Sequence, residues 1–444
     1  MSVPKAVLGF ETHDLAPALT GGQDRISVSP GASFLQKLLA FSGPGYLVSV
    51  GYMDPGNWAT DLAGGSRFGY LLLSIVLLSN LMAILLQALA AKLGIATGRD
   101  LAQTCRDHFS PPIALLFWAS CELAIVACDL AEVIGSAIAL QLLFAIPLIV
   151  GVCLTAGDVM LVLLLQQKGF RRLEAVVIAL IVLIGICFAL QLALAQPNLS
   201  ASFHALLPSP RLLTNPDALY IAVGIIGATV MPHNLYLHSS IVRSRHIGDS
   251  VEARHDAVRF ATIDSTLALT FAFFINAAIL MLAAATFHHS GHQDVADLSQ
   301  AYQLLTPLLG SAMASLLFAL ALLAAGQSST ITGTLAGQIA MEGFLNLKMQ
   351  PWLRRLITRL TAIVPAIIAT SYYGEKGIAS LLIFSQVVLS LQLPFAAIPL
   401  VLFTADSKRM GSFVNRKAIT WLAWLVVAII IGLNLYMLWS TVAR

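Results

Sequence analysis

The apolar stretch L-V-S-V-G-Y-M-D-P-G-N-W-A-T, residues 47–60, contains four residues that interrupt a membrane helix. Asp54, Pro55, Gly56 and Asn57 stand side by side in a segment whose other residues suit lipid. Pro55 removes a helix hydrogen-bond donor and Gly56 releases the backbone, so the stretch predicts a broken helix. A carboxylate at such a break is costly to bury unless a positive charge lies against it.

The composition is that of an integral membrane protein. Of the 444 residues, 58% are hydrophobic and 11% are charged, and the mean hydropathy is +0.84. Soluble domains are much less apolar. Because the apolar segments are long rather than short and alternating, we predict an all-α bundle and not a barrel. We predict eleven spans, approximately over residues 41–66, 69–92, 113–143, 144–166, 174–196, 217–242, 257–287, 302–342, 356–373, 377–404 and 418–441.

The distribution of basic residues supports these spans and gives their orientation. If the N-terminus is cytoplasmic, the inner loops hold 21 of the 25 Lys and Arg residues and the outer loops hold 4. This asymmetry predicts a multi-pass protein of the plasma membrane (a bacterial inner membrane) with a cytoplasmic N-terminus and an outer C-terminus. Residues 1–36 show no signal-peptide pattern and are predicted to be a mobile cytoplasmic tail.

A second broken helix is predicted at I-A-V-G-I-I-G-A-T-V-M-P-H-N, residues 221–234. Gly224, Gly227 and Pro232 interrupt this run as the first break interrupts residues 47–60. A single kink is tolerated in membrane helices, but two breaks that each open a set of five spans favour an inverted-repeat secondary transporter. The predicted core covers residues 37–404, with repeats 37–200 and 215–404, and residues 405–444 add an eleventh helix.

The residues at the two breaks suit a divalent transition metal. Asp54 offers a hard anionic oxygen, Asn57 a neutral amide oxygen and Met231 a thioether sulfur. Oxygen ligands alone suit Mg²⁺ or Ca²⁺, whereas sulfur favours softer ions such as Mn²⁺ and Fe²⁺. A methionine is more often a flexible core filler, and the position of Met231 beside Pro232 is what favours the ligand interpretation.

The chain resembles the natural resistance-associated macrophage protein (Nramp) family, whose bacterial members are proton-coupled manganese transporters. The resemblance rests on D-P-G-N at 54–57 and M-P-H-N at 231–234, and it covers spans 1 to 10. It implies a LeuT-like fold of 5+5 inverted repeats with discontinuous helices 1 and 6. Further matching motifs are D-L-A-E-V-I-G (129–135), G-Q-S-S-T-I-T-G-T-L-A-G-Q (326–338), R-R-L-I-T-R (354–359) and S-Q-V-V-L-S-L-Q-L-P-F-A (385–396).

The resemblance also implies functional residues beyond Asp54, Asn57 and Met231. Near the metal it implies the backbone carbonyls of Gly51 and Ala228, although relatives often have alanine at the Gly51 position, and the side chain of Gln386. It further implies a proton route that is separate from the metal route. That route consists of Asp54, His233, Glu132, Asp129, Arg245, Arg354 and Arg355.

Three acids of the third span fit such a route without the family. Glu122, Asp129 and Glu132 lie within about 80° of one helical stripe, and intramembrane acids usually line polar pathways. The alternative is that they form buried structural pairs with arginines of spans 6 and 9, which applies most to Glu122. His233 can titrate near neutral pH, yet a lone histidine is often a hydrogen-bonded core residue.

The sequence thus predicts an importer of Mn²⁺, with Fe²⁺ second, coupled to protons and embedded in the lipid bilayer. We expect no permanently bound cofactor, no obligatory protein partner, no nucleic-acid partner and no enzyme activity, since neither H-E-x-x-H nor G-x-x-x-x-G-K-[ST] is present. An uncoupled cation channel, a magnesium-tolerant relative and a metal sensor are the alternatives. The sequence leaves open the roles of Asp158, Asp264, Glu342 and the outer-loop His288, His289 and His292, and the five cysteines are interpreted as apolar packing residues.

Overall fold

The structure is a computed structural model that describes residues 26–27, 32–155, 157, 170–246, 248, 250–347 and 349–442, without the side chains of 26, 27, 246, 351, 352, 355, 359 and 369–376. This part of the chain is helical except for one two-residue parallel pairing, in which β1 (Ile26–Ser27) lies beside β2 (Arg245–His246). Eight helical segments are long and apolar enough to cross a membrane, which confirms the helical membrane class. They are Leu73–Thr97, Pro111–Phe144, Phe170–Ala195, Pro216–Ser244, Val251–His288, Ala312–Leu345, Gly377–Ala405 and Lys417–Val442.

The first half of the bundle contains the first break. The predicted first span is divided into two helices, and the predicted fourth span, 144–166, is described only as far as residue 157. The helices are α1 (Phe34–Phe41), α2 (Pro44–Gly51), α3 (Pro55–Phe68), α4 (Leu73–Thr97), α5 (Leu101–His108), α6 (Pro111–Phe144), α7 (Leu148–Thr155), α8 (Phe170–Ala195) and α9 (Leu199–His204).

The second half contains the second break, between two helices that meet at Met231. A π-helical turn, Ala284–His288, extends the helix that corresponds to the seventh span. The helices are α10 (Arg211–Thr214), α11 (Pro216–Val230), α12 (Pro232–Ile241), α13 (Val251–Ala283), α14 (Leu298–Leu309), α15 (Ala312–Leu345), α16 (Pro351–Ala405), α17 (Ser407–Met410) and α18 (Lys417–Val442).

Two predicted span boundaries differ from the structure. The predicted span 302–342 is two helices, because Gly310 adopts a left-handed φ of 67° and ends α14 before α15 begins. The predicted spans 356–373 and 377–404 both lie within the single helix α16, since no proline interrupts the backbone hydrogen bonds between them. The count of eleven spans therefore stays a prediction.

Part of the predicted N-terminal tail is ordered against the core. Ser33 caps α1, and Ile26 and Ser27 pair with the end of the second broken span. Lys37 donates to Asp256 at 2.8 Å, which ties α1 to α13. The first helix of the bundle therefore begins before residue 37.

An aromatic cluster fixes the first break in the bundle core. The Trp58 ring meets Phe188 of α8 and Phe318 of α15 edge to face, with centroids 4.8 and 5.2 Å apart. Its indole N–H donates to the carbonyl of Met53 at 3.1 Å, and Trp58 is fully buried. Such ring pairs contribute about 0.5–1.5 kcal/mol each beyond burial. The unwound residues before α3 are therefore held rigidly against two other helices.

Candidate metal-binding site

Asp54 lies at the first break as the N-cap of α3. Its Oδ1 accepts hydrogen bonds from the backbone N–H and the side-chain amide of Asn57, both at 2.8 Å. Pro55 occupies the first helical position, where its missing N–H costs nothing and its fixed φ favours the helix. Both Asp54 and Asn57 are buried. The local sequence therefore creates a rigid carboxylate at a helix start inside the bundle.

Met231 lies at the second break in an unusual backbone conformation. Its φ of 40° and ψ of 95° place a non-glycine residue at positive φ between α11 and α12. Proline at position 232 disfavours helical geometry for the residue before it. Positive φ for such a side chain costs on the order of 1–3 kcal/mol and is found where function requires it. Met231 is fully buried, and its Sδ accepts from Asn234 Nδ2 at 3.3 Å.

The two breaks meet around the side-chain amide of Asn57. Asn57 Nδ2 lies 2.8 Å from Asp54 Oδ1, 3.3 Å from the Gly51 carbonyl and 3.1 Å from the Ala228 carbonyl. A Cβ on Gly51 would come within 2.8 Å of the Met231 sulfur, so the two broken spans approach closely here. Three oxygens that the resemblance implies as metal ligands therefore point at one NH₂ group. In this geometry the partially positive NH₂ group lies between the three oxygens.

Gln386 of α16 lies against Gly56, which stands between Asp54 and Asn57 in the sequence. A Cβ on Gly56 would overlap the Gln386 amide, so a larger residue at that position would displace the Gln386 side chain. Gln386 Nε2 donates to Ser385 Oγ at 2.9 Å, while Oε1 is buried without a hydrogen-bond partner among the described residues. Gln386 is thus adjacent to the cluster, with an oxygen available, but is not part of the Asn57 contacts.

Cys128 connects Asp54 to the acids of α6. Its sulfur lies 3.8 Å from Asp54 Oδ2 and 3.7 Å from Glu132 Oε1. Glu132 Oε2 accepts from Thr330 Oγ1 at 3.3 Å, and Glu132 and Asp129 are both fully buried. Cys128, interpreted from the sequence as an apolar packing residue, thus contacts two acids. The sequence does contain a signal for this contact, since Cys128 precedes Glu132 by four residues and shares its helix face.

The structure divides the predicted proton-route residues into separate groups. Glu122 forms an ion pair with Arg354 at 2.9 Å, which is the structural pairing that the sequence left as an alternative. Arg245 does not join the α6 acids, because it pairs with Glu174 of α8 at 2.5 Å. Burial of both charges at that pair excludes water and strengthens the contact. The side chain of Arg355 lies outside the described residues.

His233 is buried beside Met231, and its Nδ1 has no hydrogen-bond partner in the described chain. His233 lies in the first turn of α12, which packs against α6, the helix of Asp129 and Glu132. Sequence reasoning missed a column of buried polar side chains near the first break, formed by Tyr52, Gln87 and His238. Gln87 Nε2 donates to the Tyr52 hydroxyl at 2.7 Å, and Gln87 Oε1 lies 3.0 Å from His238 Nδ1. The sequence signal for this column was weak, a polar residue within the apolar run of α4.

Two of the acids whose roles were open have structural partners. Asp264 accepts from the backbone N–H of Gly45 at 2.7 Å and of Gly43 at 3.4 Å, so it caps α2 from α13. Glu342 accepts from Gln338 Nε2 at 2.9 Å. Asp158 lies outside the described residues.

The outer-loop histidines do not converge on a metal position. His288 and His289 each bond a backbone carbonyl, at 2.9 and 2.7 Å, and His292 lies 3.0 Å from Ser290 Oγ. Across the residues that the structure describes, no group of three His, Cys, Asp or Glu side chains could hold a metal ion. The cluster at the two breaks is compatible with this finding because it contains a single carboxylate.

A cavity of about 670 Å³ is lined by residues from the end of α3 and the start of α11. Arg67, at the end of α3, makes ion pairs with Asp217 at 3.8 Å and with Asp294 at 3.3 Å across its mouth. The ligands at the break do not line this cavity, since they are at most 1% exposed. The candidate site is therefore closed to solvent in this conformation.

Comparisons with known proteins agree with this arrangement. A model of the family described as natural resistance-associated macrophage protein-like matches residues 45–440. The divalent metal cation transporter MntH of Nostoc sp. is 60% identical over 422 residues, which cover 95% of this chain and 96% of the relative. MntH of Bradyrhizobium diazoefficiens is 62% identical over 406 residues, covering 91% and 90%.

Solved structures are similar over most of the chain. The Eremococcus coleocola manganese transporter, in the structure of a mutant, matches with a TM-score of 0.85 and 44% identity, over 94% of this chain and 88% of that one. Mhp1, a nucleobase-cation-symport-1 family transporter, matches with a TM-score of 0.58 at 14% identity, over 90% and 92%. The second similarity shows a shared fold alone.

Proposed function

The chain belongs to the natural resistance-associated macrophage protein-like family, and we propose that it imports divalent transition-metal ions, Mn²⁺ first and Fe²⁺ second, coupled to protons. The metal would be held by Asp54, Asn57 and Met231 with the carbonyls of Gly51 and Ala228. Gln386 would join when the helices move. The observation that carries the proposal is the convergence of three oxygens on the Asn57 amide.

Metal entry requires one rearrangement of that amide. A divalent cation takes the place of the NH₂ group between the three oxygens, and Asn57 turns its own oxygen toward the ion. The amide has a donor end and an acceptor end of nearly equal size, so rotation exchanges them without repacking. The Met231 sulfur, close to Gly51, completes the set and favours Mn²⁺ over the harder Mg²⁺ and Ca²⁺.

Proton coupling is supported by the path behind Asp54. Binding of a divalent cation favours the carboxylate form of Asp54 and so the release of its proton. Cys128 contacts both Asp54 and Glu132, and the helix of His233 packs against α6, so acceptors for that proton are adjacent. With the predicted orientation, a membrane potential of 100 mV contributes roughly 2.3 kcal/mol per charge to inward cation movement.

The closed site favours alternating access over a channel. A channel needs a continuous pathway, whereas Asp54, Asn57 and Met231 are buried and do not line the cavity. Discontinuous helices around a buried acidic site are typical of transporters that open to one side at a time.

Equilibrium binding tests the proposed ligands. We expect calorimetric titration to show Mn²⁺ binding by the purified full chain and a loss of at least about tenfold in affinity for Asp54→Ala and for Asn57→Ala. Asp217→Asn, which removes an exposed carboxylate at the cavity mouth, is the matched control and should bind Mn²⁺ normally. Equal binding by all four proteins would show that the metal lies elsewhere.

A further inference from the structure

Three buried side-chain oxygens near the metal site lack a hydrogen-bond partner. They are Asp61 Oδ2 on α3, Asn80 Oδ1 on α4 and Asn276 Oδ1 on α13, and none of them is bonded within the described residues. The three residues are only 2%, 4% and 2% exposed. A buried polar atom without a partner costs about 1–3 kcal/mol, so three in one region need a common explanation.

Contacts between α3 and α13 place Asp61 beside Asn276. At the inner end, Asn276 Nδ2 donates to the Tyr52 carbonyl at 2.8 Å. At the outer end, a Cβ on Gly65 would lie 2.7 Å from the Ala283 Cβ. The two helices therefore run side by side in the same direction. Asp61 precedes Gly65 by one turn on the same face, so it points toward α13 between these two contacts.

Contacts of α4 place Asn80 at the same depth. At the outer end, Leu72, just before α4, would meet a Cβ on Gly64 at 2.9 Å. At the inner end, Gln87 bonds the Tyr52 hydroxyl at 2.7 Å. Asn80 lies midway between these contacts and seven residues before Gln87, hence on the face of α4 that Gln87 turns toward Tyr52. The three free oxygens thus come from α3, α4 and α13 at a similar depth, and α13 packs against both of the other helices.

The negative charge of Asp61 among these three oxygens requires a compensating positive charge. Asp61 forms no ion pair in the described chain, and the charged group that acts on it, Asp54, is also an acid. A buried carboxylate is stable only when a positive group compensates it. A proton on Asp61 would donate to one of the two amide oxygens and leave the other unpaired. A metal cation can be coordinated by all three oxygens at once.

We propose that Asp61, Asn80 and Asn276 form a second cation site that binds a monovalent hard cation, Na⁺. One carboxylate balances one positive charge, and three oxygens without sulfur give no preference for a transition metal. Membrane transporters do bind Na⁺ near broken helices. This site uses none of the residues proposed to hold the transition metal, and it does not depend on which metal they carry.

Direct Na⁺ binding tests this proposal. The purified full chain, in a choline-based buffer, is titrated with radioactive ²²Na⁺ by scintillation proximity. The variants are Asp61→Asn, which removes the charge with little change in volume, and Asn80→Leu, which removes one oxygen. Asp217→Asn is the control for loss of a carboxylate, and thermal melting of each protein verifies folding.

We expect saturable Na⁺ binding by the native chain and by Asp217→Asn, and a loss of at least about tenfold in affinity in both site variants. Absence of saturable Na⁺ binding by the folded native chain would overturn the proposal and assign the oxygens to water or to a proton. Binding that is unchanged in both variants would overturn it as well. Mn²⁺ titration of the same samples reports on the Asp54 site. A lack of Mn²⁺ binding there would contradict the proposed function without changing the interpretation of the Na⁺ measurement.

Discussion

The side-chain amide of Asn57 donates to the carbonyl oxygen of Ala228 at 3.1 Å, and this bond joins the first broken helix to the second. The same NH₂ group also contacts Asp54 and Gly51. The chain therefore keeps its anionic and carbonyl oxygens gathered by a neutral donor of its own. A metal ion that displaces this donor finds the ligands already in place, so little ordering is required when it binds.

Removing the sulfur should change selectivity more than transport. We expect Met231→Ala to keep Mn²⁺ uptake while Ca²⁺ and Mg²⁺ compete about 10- to 100-fold better, because only the softer ion gains from a thioether. The measurement is Mn²⁺ uptake into proteoliposomes against increasing Ca²⁺ or Mg²⁺. Met82→Ala, at a buried methionine of α4, is the control and should leave competition unchanged. Unaltered competition in Met231→Ala would refute the role of the sulfur.

Neutralising the α6 acids should separate proton movement from metal binding. Glu132→Gln and Asp129→Asn remove buried charges behind Asp54 without removing a proposed metal ligand. We expect Mn²⁺ affinity within about threefold of native and proton uptake per metal reduced at least about tenfold. Calorimetry measures the first quantity and an internal pH dye the second. Equal loss of both would indicate a structural role for these acids.

The thiol of Cys128 should matter as a hydrogen-bonding group. It lies between Asp54 and Glu132, at 3.8 and 3.7 Å, and can donate to one or the other. We expect Cys128→Ser to preserve proton uptake and Cys128→Ala to slow it several-fold, since only serine retains a donor of similar size. Stopped-flow acidification of liposomes compares the two. If alanine and serine behave alike, the residue only fills space.

Backbone proximity at Gly227 should make that position intolerant of a side chain. A Cβ there would lie 2.5 Å from the backbone nitrogen of Ser390 on α16, and backbone atoms cannot move aside. We expect Gly227→Ala to destabilise the fold by about 1–3 kcal/mol and to lower the melting temperature. Gly432→Ala on α18 is the matched control, because nothing lies within 4 Å of its Cβ position. Equal melting temperatures for the two variants would contradict this packing.

The residues at the two breaks were predictable because their effects on the backbone are local. Asp54 caps α3, Pro55 starts it and Pro232 restricts Met231, and each effect depends on neighbouring residues only. The same holds for the helical membrane class, which follows from apolar segment length.

The remaining features depend on contacts between distant parts of the chain. Sequence alone did not assign Arg245 to Glu174, which lies on another helix, or show that the Asn57 amide faces Ala228. Sequence alone did not predict the end of α14 at Gly310, because a glycine in an apolar run can either continue a helix or end it, and only its φ distinguishes the two. It treated Cys128 as packing because no metal-binding cysteine spacing is present, although the contact partners are acids.

The most direct test of coupled metal import places the purified protein in liposomes with an internal pH dye at a negative-inside potential. Mn²⁺ is added outside, and metal entry and internal pH are recorded together, with and without excess Mg²⁺. We predict saturable Mn²⁺ entry with simultaneous acidification that excess Mg²⁺ barely reduces. Mn²⁺ entry that never saturates, or that proceeds without acidification, would contradict a proton-coupled transporter.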